Sequence, residues 1–266
     1  MTENKTKKYI IWSVLALIAL LLLSTVCTVV SVSKGFDSEG TDMEVKKEES
    51  FDSAEVTALD ISLKVTSLVV EYGEFEIRTN NEDVEWEIDG GVLRIKENGI
   101  TTPFGINESG YKLVLTVPEY TRFDSVKIVS NVGRVQINDL DTVDLDLNVR
   151  IGLTEINRIS VSGAANVKGL AGQMVMNDSW FEKINYKMRV GHSELDLSVK
   201  TEAELNTFIG KLNTYMPGEI EDYRLTVTEG FGLVKSKQDI YTDNDASKPV
   251  VKIGIVVGKI TATFEV

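Results

Sequence analysis

Glycine recurs through the second half of this chain at a nearly constant spacing. Successive members of the series are separated by 19, 20, 19, 19, 22 and 26 residues, and the series is Gly133, Gly152, Gly172, Gly191, Gly210, Gly232 and Gly258. A near-constant period of this size is typical of repeat proteins, in which each unit stacks on the next. The period constrains the fold more strongly than the composition does.

The residues around each glycine repeat as well. Positions seven, five and one before the glycine are apolar in all seven units. Positions two and four after it are apolar except at Thr154, Ser193, Thr214 and Ser236. Alternation with a period of two predicts a short strand on each side of the glycine. Each glycine is interpreted as a bend residue, because it lacks a Cβ and accepts positive φ.

These units are expected to stack in parallel as an all-β, single-stranded parallel β-solenoid (β-helix) with about 19–20 residues per coil. No segment between the strands has a helical period, which excludes a doubly wound parallel sheet. A β-sandwich is the alternative, although it gives no reason for such a register. Weaker patterns around Gly73 and Gly91 are interpreted as further coils, and the terminal KITATFEV as an open end.

An uncharged, mainly apolar segment occupies residues 9–33 and follows Lys5, Lys7 and Lys8. A bilayer-spanning helix needs about 20 such residues, and positive charge stays on the cytoplasmic side. The sequence therefore predicts a cytoplasmic tail (1–8), one transmembrane helix (9–33), a flexible tether (34–53) and an extracytoplasmic solenoid domain (54–266). The predicted location is the cell membrane, as a single-pass protein with the N-terminus inside. A cleaved signal peptide is the alternative.

His192 is the only histidine, and Ser193 follows it. The position directly after the repeat glycine is otherwise Arg, Leu, Gln or Lys, so His192 is interpreted as an outward surface residue. Ser193 falls on an inward position. The two residues therefore do not predict a Ser-His-Asp relay.

Other candidate chemistry is equally sparse. The acidic run Asp139, Asp141, Asp144 and Asp146 lacks the spacing of a calcium loop and is interpreted as a solvated strand face. The single Cys27 leaves no thiolate metal site, and EGFGLVK (229–235) lacks the third glycine of a phosphate-binding turn. The sequence predicts no catalytic, cofactor-binding or metal-binding residue, no cofactor, and no enzymatic activity.

Charge sets a further limit on the partners. The net charge of −13 predicts repulsion from nucleic acid and other anionic polymers. Arg134, Arg150 and Arg189 flank repeat glycines and are interpreted as solubilising residues.

The segments LDISLKVTSLVVEYGEFEIRTNN, YKLVLTVPEY and VKIVSNVGRVQI follow the apolar segment and the charged linker. Together they resemble the bacterial membrane-anchored "putative adhesin" β-strand-repeat family, across about residues 54–266. The resemblance implies a surface location, adhesion and a link to envelope stress. It brings no catalytic residues with it.

The predicted function is that of a non-enzymatic cell-envelope protein whose adhesin-like domain is a binding or scaffolding surface for a protein or cell-wall partner. A carbohydrate-active β-helix enzyme is one alternative, motivated by the aspartate run. An envelope-stress regulator that works through a membrane partner is another. The membrane is a predicted partner through the N-terminal helix, nucleic acid is not, and the oligomeric state stays open.

Overall fold

A computed structural model describes residues 43–99, 110–229, 233–236 and 245–265. The strands are β1 (Lys47–Ser50), β2 (Ala58–Leu63), β3 (Ser67–Tyr72), β4 (Glu76–Thr79), β5 (Val84–Asp89), β6 (Val92–Glu97), β7 (Lys112–Val117), β8 (Arg122–Asn138), β9 (Asp141–Asn157), β10 (Ser160–Pro217), β11 (Arg224–Glu229), β12 (Leu233–Ser236) and β13 (Val250–Glu265). Within these ranges the helical elements are two 3-10 turns, Ser53–Glu55 and Ile220–Asp222.

The long strands lie parallel with their glycines in register. Gly133 of β8 lies opposite Gly152 of β9, and Gly152 lies opposite Gly172 at the start of β10. The chain of β10 then passes Gly191 and Gly210, each close to the carbonyl group of the glycine before it. Gly210 lies opposite Gly258 of β13. We call each stretch of strand centred on one of these six glycines a rung.

The core forms along the inward positions of the rungs. In β9, Leu145, Leu147, Thr154 and Ile156 are at most 1% exposed. Asp144 and Asp146, which alternate with Leu145 and Leu147, are exposed, as a period of two requires. Burying each large apolar side chain stabilises the fold by about 1.5–3 kcal/mol, so the repeated inward positions supply the driving force for stacking.

The order of strands in space differs from their order in sequence at both ends of the stack. At one end, β13 pairs with β10 on one side and with β11 and β12 on the other. At the other end, β2 lies between β6 and β8, and β3 between β7 and β8. Residues 259–265 of the terminal KITATFEV therefore belong to an interior strand and do not form an open end.

The prediction of a single-stranded parallel β-solenoid is wrong. The described residues form one 13-stranded mixed sheet, in which β1–β4, β4–β7 and β5–β6 are antiparallel pairs. The clearest cause is the dipeptide Gly90-Gly91, whose φ angles of 57° and 80° form the tight turn of the β5–β6 hairpin. A turn of this kind reverses the chain, whereas the sequence interpretation assigned Gly91 to a parallel coil.

The predicted membrane anchor is also corrected. Across the described parts of the chain, no helix is long and apolar enough to cross a membrane. Residues 1–8 and 9–33, predicted as cytoplasmic tail and transmembrane helix, lie outside the described residues. The predictions of a transmembrane helix, of the membrane as a partner through it, and of a single-pass protein in the cell membrane are therefore not retained.

The predicted tether at 34–53 overlaps the folded sheet. Strand β1 pairs antiparallel with β4, from Lys47 opposite Thr79 to Ser50 opposite Glu76. The ring of Phe51 then packs edge-on against Phe75 at a centroid distance of 5.5 Å. Residues 47–51 consequently belong to the domain, because both their backbone and a side chain have partners in it.

Candidate functional site

Close backbone contact between rungs defines one edge of the stack, which we call the glycine edge. Its six glycines have φ angles between 139° and 155°. A Cβ on Gly152 would stand 1.8 Å from the carbonyl oxygen of Gly133, and one on Gly172 would stand 1.9 Å from that of Gly152. The space beside each rung is already filled by the backbone of the previous one. Along this edge the side chains of the neighbouring positions turn toward solvent.

A line of exposed side chains runs along the glycine edge at the position two before each glycine. The strand register places Arg150 opposite Leu170 and Phe208 opposite Val256. Because Gly191 stacks between Gly172 and Gly210, Arg189 lies between these two pairs. All five are exposed. Adjacent parallel strands lie about 4.8 Å apart, so the line extends about 19 Å over five rungs.

Two lysines stand beside this line on the same face. Lys168 and Lys187 lie four residues before Gly172 and Gly191, on adjacent rungs, and both are exposed. We call this surface the basic-apolar ridge; it consists of Arg150, Lys168, Leu170, Lys187, Arg189, Phe208 and Val256. In the part of the chain that the structure describes, its four cations form no ion pair.

The glycine edge is free of acidic residues. Positions four, two and one before and one after the glycine make up 24 positions over the six rungs, and none of them is Asp or Glu. Seven are Lys or Arg, although the chain has 41 acidic and 28 basic residues in all. A locally positive surface on an acidic protein attracts anions that the molecule as a whole repels.

On the other side of the glycine edge two cationic side chains have acidic partners, whereas Lys211 and Lys259 are partly buried and form no ion pair among the described residues. Arg134 pairs with Glu155 at 2.5 Å, and His192 Nε2 lies 2.9 Å from Glu194 Oε1. The hydrogen bond with His192 is the main cause that lowers the pKa of Glu194. Among the described cations of the glycine edge, the four of the ridge are the ones that are both exposed and without an ion pair.

The structure separates His192 from Ser193. The imidazole is half-buried and bonds Glu194 at the surface, whereas the Ser193 hydroxyl points inward and lies 2.5 Å from the Tyr186 hydroxyl. Burial raises the pKa of Tyr186, so this phenol stays neutral at physiological pH. The arrangement contains no relay in which the imidazole takes a proton from the serine.

The four aspartates do not converge. Asp139 binds the Arg158 guanidinium through both oxygens, at 2.5 and 2.7 Å, and Asp144 accepts a hydrogen bond from the Ala164 backbone N–H at 2.9 Å. Asp144 and Asp146 are exposed. Among the described residues, no group of three or more metal-ligating side chains is present. Residues 230–232 of EGFGLVK, Gly232 among them, lie outside the described residues.

Most of the ridge was missed by reasoning from the sequence. Arg150 and Arg189 were interpreted as solubilising residues, and Leu170 and Phe208 fell on a position with no apparent pattern. The available signal was the 19-residue spacing of Lys168 from Lys187. That signal is weak, because only the structure distinguishes an unpaired exposed cation from one held in an ion pair.

Comparisons with known proteins add information about the fold alone. No family model matches the chain, and no curated protein matches it significantly. Several solved structures cover most of it, among them the following three. A putative cell adhesion protein from Clostridium sporogenes has 13% identity and a TM-score of 0.42, and covers 84% of this chain and 99% of its own. A putative adhesin from Bacteroides fragilis has 10% identity and a TM-score of 0.45, and covers 84% and 98%.

The third structure is a putative lipid binding protein from Parabacteroides distasonis, with 11% identity, a TM-score of 0.38 and coverage of 81% and 96%. The descriptions of the first two agree with the family resemblance drawn from the sequence. At these identities and TM-scores, nothing about the ligand of this chain is inferred from them.

Proposed function

We propose that this chain is a non-enzymatic binding protein that attaches to a negatively charged partner through the basic-apolar ridge. The observation that carries the proposal is the set of four exposed cations without ion pairs on three consecutive rungs. Adhesion, the role named for two of the structural neighbours, is a function of this kind. A location in the cell envelope and a link to envelope stress remain predictions from the resemblance.

A stacked sheet suits such a function because it holds charges at fixed spacing. Side chains on adjacent rungs are separated by about 4.8 Å, and a rigid strand fixes their direction. A ligand with repeated negative charges meets several cations at once, so the attraction is multivalent. The carbohydrate-active alternative receives no comparable support, because the aspartates that motivate it are dispersed and Asp139 is paired with Arg158.

The test measures binding of long-chain inorganic polyphosphate to the full chain by fluorescence anisotropy. The ridge variant carries Arg150→Gln, Lys168→Gln, Lys187→Gln and Arg189→Gln. We expect its affinity to fall at least tenfold and its dependence on salt to become shallower, because each lost contact no longer releases counterions.

A matched control removes the same number and type of cations from existing ion pairs. It carries Arg94→Gln, Lys127→Gln, Arg158→Gln and Lys252→Gln, whose partners are Asp89, Asp60, Asp139 and Glu202. We expect this variant to retain affinity within about threefold, because each of these cations is already paired with a carboxylate. Equal losses in the two variants would refute the ridge as the binding surface.

A further inference from the structure

Apolar side chains are concentrated on the same edge as the unpaired cations. Among the described residues nine large hydrophobic side chains are exposed, and four of them lie here: Leu170 (40%), Phe208 (53%), Val256 (38%) and Val257 (43%). The residue directly before the glycine adds partly exposed apolar surface on the other rungs, as at Ile151 and Ile209. A soluble polyanion bound by charge alone would gain nothing from contact with these apolar side chains.

We infer that the occupant of the basic-apolar ridge is the surface of a bilayer rich in anionic lipid. This inference rests on the proposed function and names its partner. Side chains that combine apolar tips with Lys and Arg are suited to the interface of a bilayer, where the apolar part enters the boundary of the acyl chains and the cations meet the phosphates. The contact is made by side chains of the sheet and involves no spanning segment.

The geometry favours a soft, flat partner. The ridge is a line of exposed side chains on successive rungs, about 19 Å long at 4.8 Å per strand. The backbone groups of its interior rungs are already paired with the neighbouring strands, so an added strand finds no partner there. Charge is complementary as well, because the cations of the ridge are unpaired and none of the 24 positions counted around the six glycines is acidic.

The test uses the full chain with Cys27→Ser and a fluorophore that responds to apolar surroundings, attached at Val256→Cys. Vesicles of phosphatidylcholine contain 0, 15 or 30% phosphatidylglycerol. A label on the ridge reports contact at this position, whatever other parts of the chain do. We expect the signal to rise with the fraction of anionic lipid, and a second label at Glu87→Cys on β5 to stay unchanged.

Two variants separate the contributions of the ridge. The four-cation ridge variant is expected to lose both the vesicle signal and polyphosphate binding, because each cation near an anionic surface contributes about a fivefold factor in affinity. Leu170→Gln with Phe208→Gln is expected to weaken vesicle binding at least fivefold and to weaken polyphosphate binding by a smaller factor, because polyphosphate is held by the cations. Ile88→Gln with Tyr120→Gln, two exposed apolar side chains elsewhere, is the matched control.

The possible results are distinguishable. Polyphosphate binding without a vesicle signal overturns the lipid inference and leaves the proposed function, with an acidic polymer or peptide as the occupant. If the wild-type chain binds neither polyphosphate nor vesicles, both proposals are overturned. A label that responds equally at 0% phosphatidylglycerol also overturns the lipid inference. Thermal unfolding of each variant confirms that the exposed substitutions leave the fold intact.

Discussion

Individual glycines set how closely neighbouring rungs approach. Gly172 has a φ of 142°, and the carbonyl oxygen of Gly152 occupies the place of its missing Cβ. On the adjacent flank of the rungs the amide of Asn157 donates to Asn138 at 2.8 Å, and that of Asn177 donates to Asn157 at 2.8 Å. Backbone contact at the glycines and this amide ladder together hold successive rungs in one register.

The steric part of this contact can be separated from the conformational part. Gly133 has nearly the same φ as Gly172, 146° against 142°, but its Cβ would meet nothing closer than 3.5 Å. Gly133→Ala is expected to cost about 1–2 kcal/mol from backbone strain. Gly172→Ala is expected to cost at least about 2 kcal/mol more, because the backbone must move apart. Urea unfolding measures both, and equal losses would contradict the close contact.

Alkaline pH tests the buried phenol of Tyr186. Burial raises the pKa of Tyr186 above its ordinary value of 10.0, and the hydrogen bond with Ser193 acts in the opposite direction. Near pH 10 the phenol of Tyr186 ionises in the unfolded chain but stays protonated in the folded protein. The folded state therefore loses stability as the pH rises above 10, by about 1.4 kcal/mol at pH 11. Tyr186→Phe is expected to lack this loss in urea titrations at pH 9, 10 and 11.

The comparison with Tyr186→Phe isolates one phenol. Tyr72 and Tyr223 also have raised pKa values from burial, but both are present in the two proteins. The variant pays a constant cost of about 1 kcal/mol for the lost hydrogen bond. The stability advantage of the wild-type protein must therefore fall as the pH rises and reverse by about pH 11, and a constant difference would contradict the assignment.

At the level of the strands, β13 completes the stack by insertion. Its inward residues Val251, Ile253 and Ile260 are at most 1% exposed, and both of its edges are paired. If β13 were absent, the last rung of β10 would present a row of unpaired backbone groups. The C-terminal strand thus joins β10 to β11 and β12, which precede it in sequence.

Engineered cysteines can test this strand order. Thr226 lies opposite Lys252, and Lys252 lies opposite Glu204, so Thr226 and Glu204 are two strands apart. In a Cys27→Ser background, Thr226→Cys with Lys252→Cys is expected to form a disulfide, since adjacent strands are within the 4.4–6.8 Å range between Cα atoms. Thr226→Cys with Glu204→Cys is expected to stay reduced at about 9.6 Å. Mass spectrometry after mild oxidation measures both, and crosslinking of the second pair would place β11 beside β10.

The whole molecule is polarised in charge. The chain has a net charge of −13, the glycine edge carries no acidic residue, and the edge strands β1 and β5 carry Glu48, Glu85 and Glu87. Charged edge strands discourage the addition of another strand, which keeps that end from pairing. An anionic partner is repelled by most of the surface and attracted at one edge, so the charge distribution orients the approach.

Changes in charge remote from the ridge should therefore alter association more than dissociation. Glu48→Lys with Glu87→Lys changes the net charge from −13 to −9, since each substitution adds two positive units. We expect the rate of association with polyphosphate to rise severalfold at low salt, with the dissociation rate unchanged, because steering acts before contact. Stopped-flow measurements at 50 and 300 mM NaCl test this, and a change confined to the dissociation rate would argue against steering.

The inward and outward positions of the strands could be predicted from local sequence patterns. The alternation around each glycine is a property of a few neighbouring residues, and Leu145, Leu147 and Ile156 are buried where that alternation places them. Strand order is different, because Leu225 and Val227 of β11 match the same inward positions as Val251 and Ile253 of β13. The two strands are interchangeable by pattern, so only contacts between distant segments select one order.

The antiparallel pairing of β5 with β6 and the composition of the ridge also depend on contacts between segments that are distant in sequence. Gly90 and Gly91 have φ angles of 57° and 80°, against 139–155° for the rung glycines, and they connect the paired strands β5 and β6. Arg150 and Arg189 belong to one surface because the rungs between them stack in register, and they count as unpaired only once every neighbour is in place. Charge and periodicity can be assigned residue by residue, whereas a surface exists only when segments far apart in sequence are brought together.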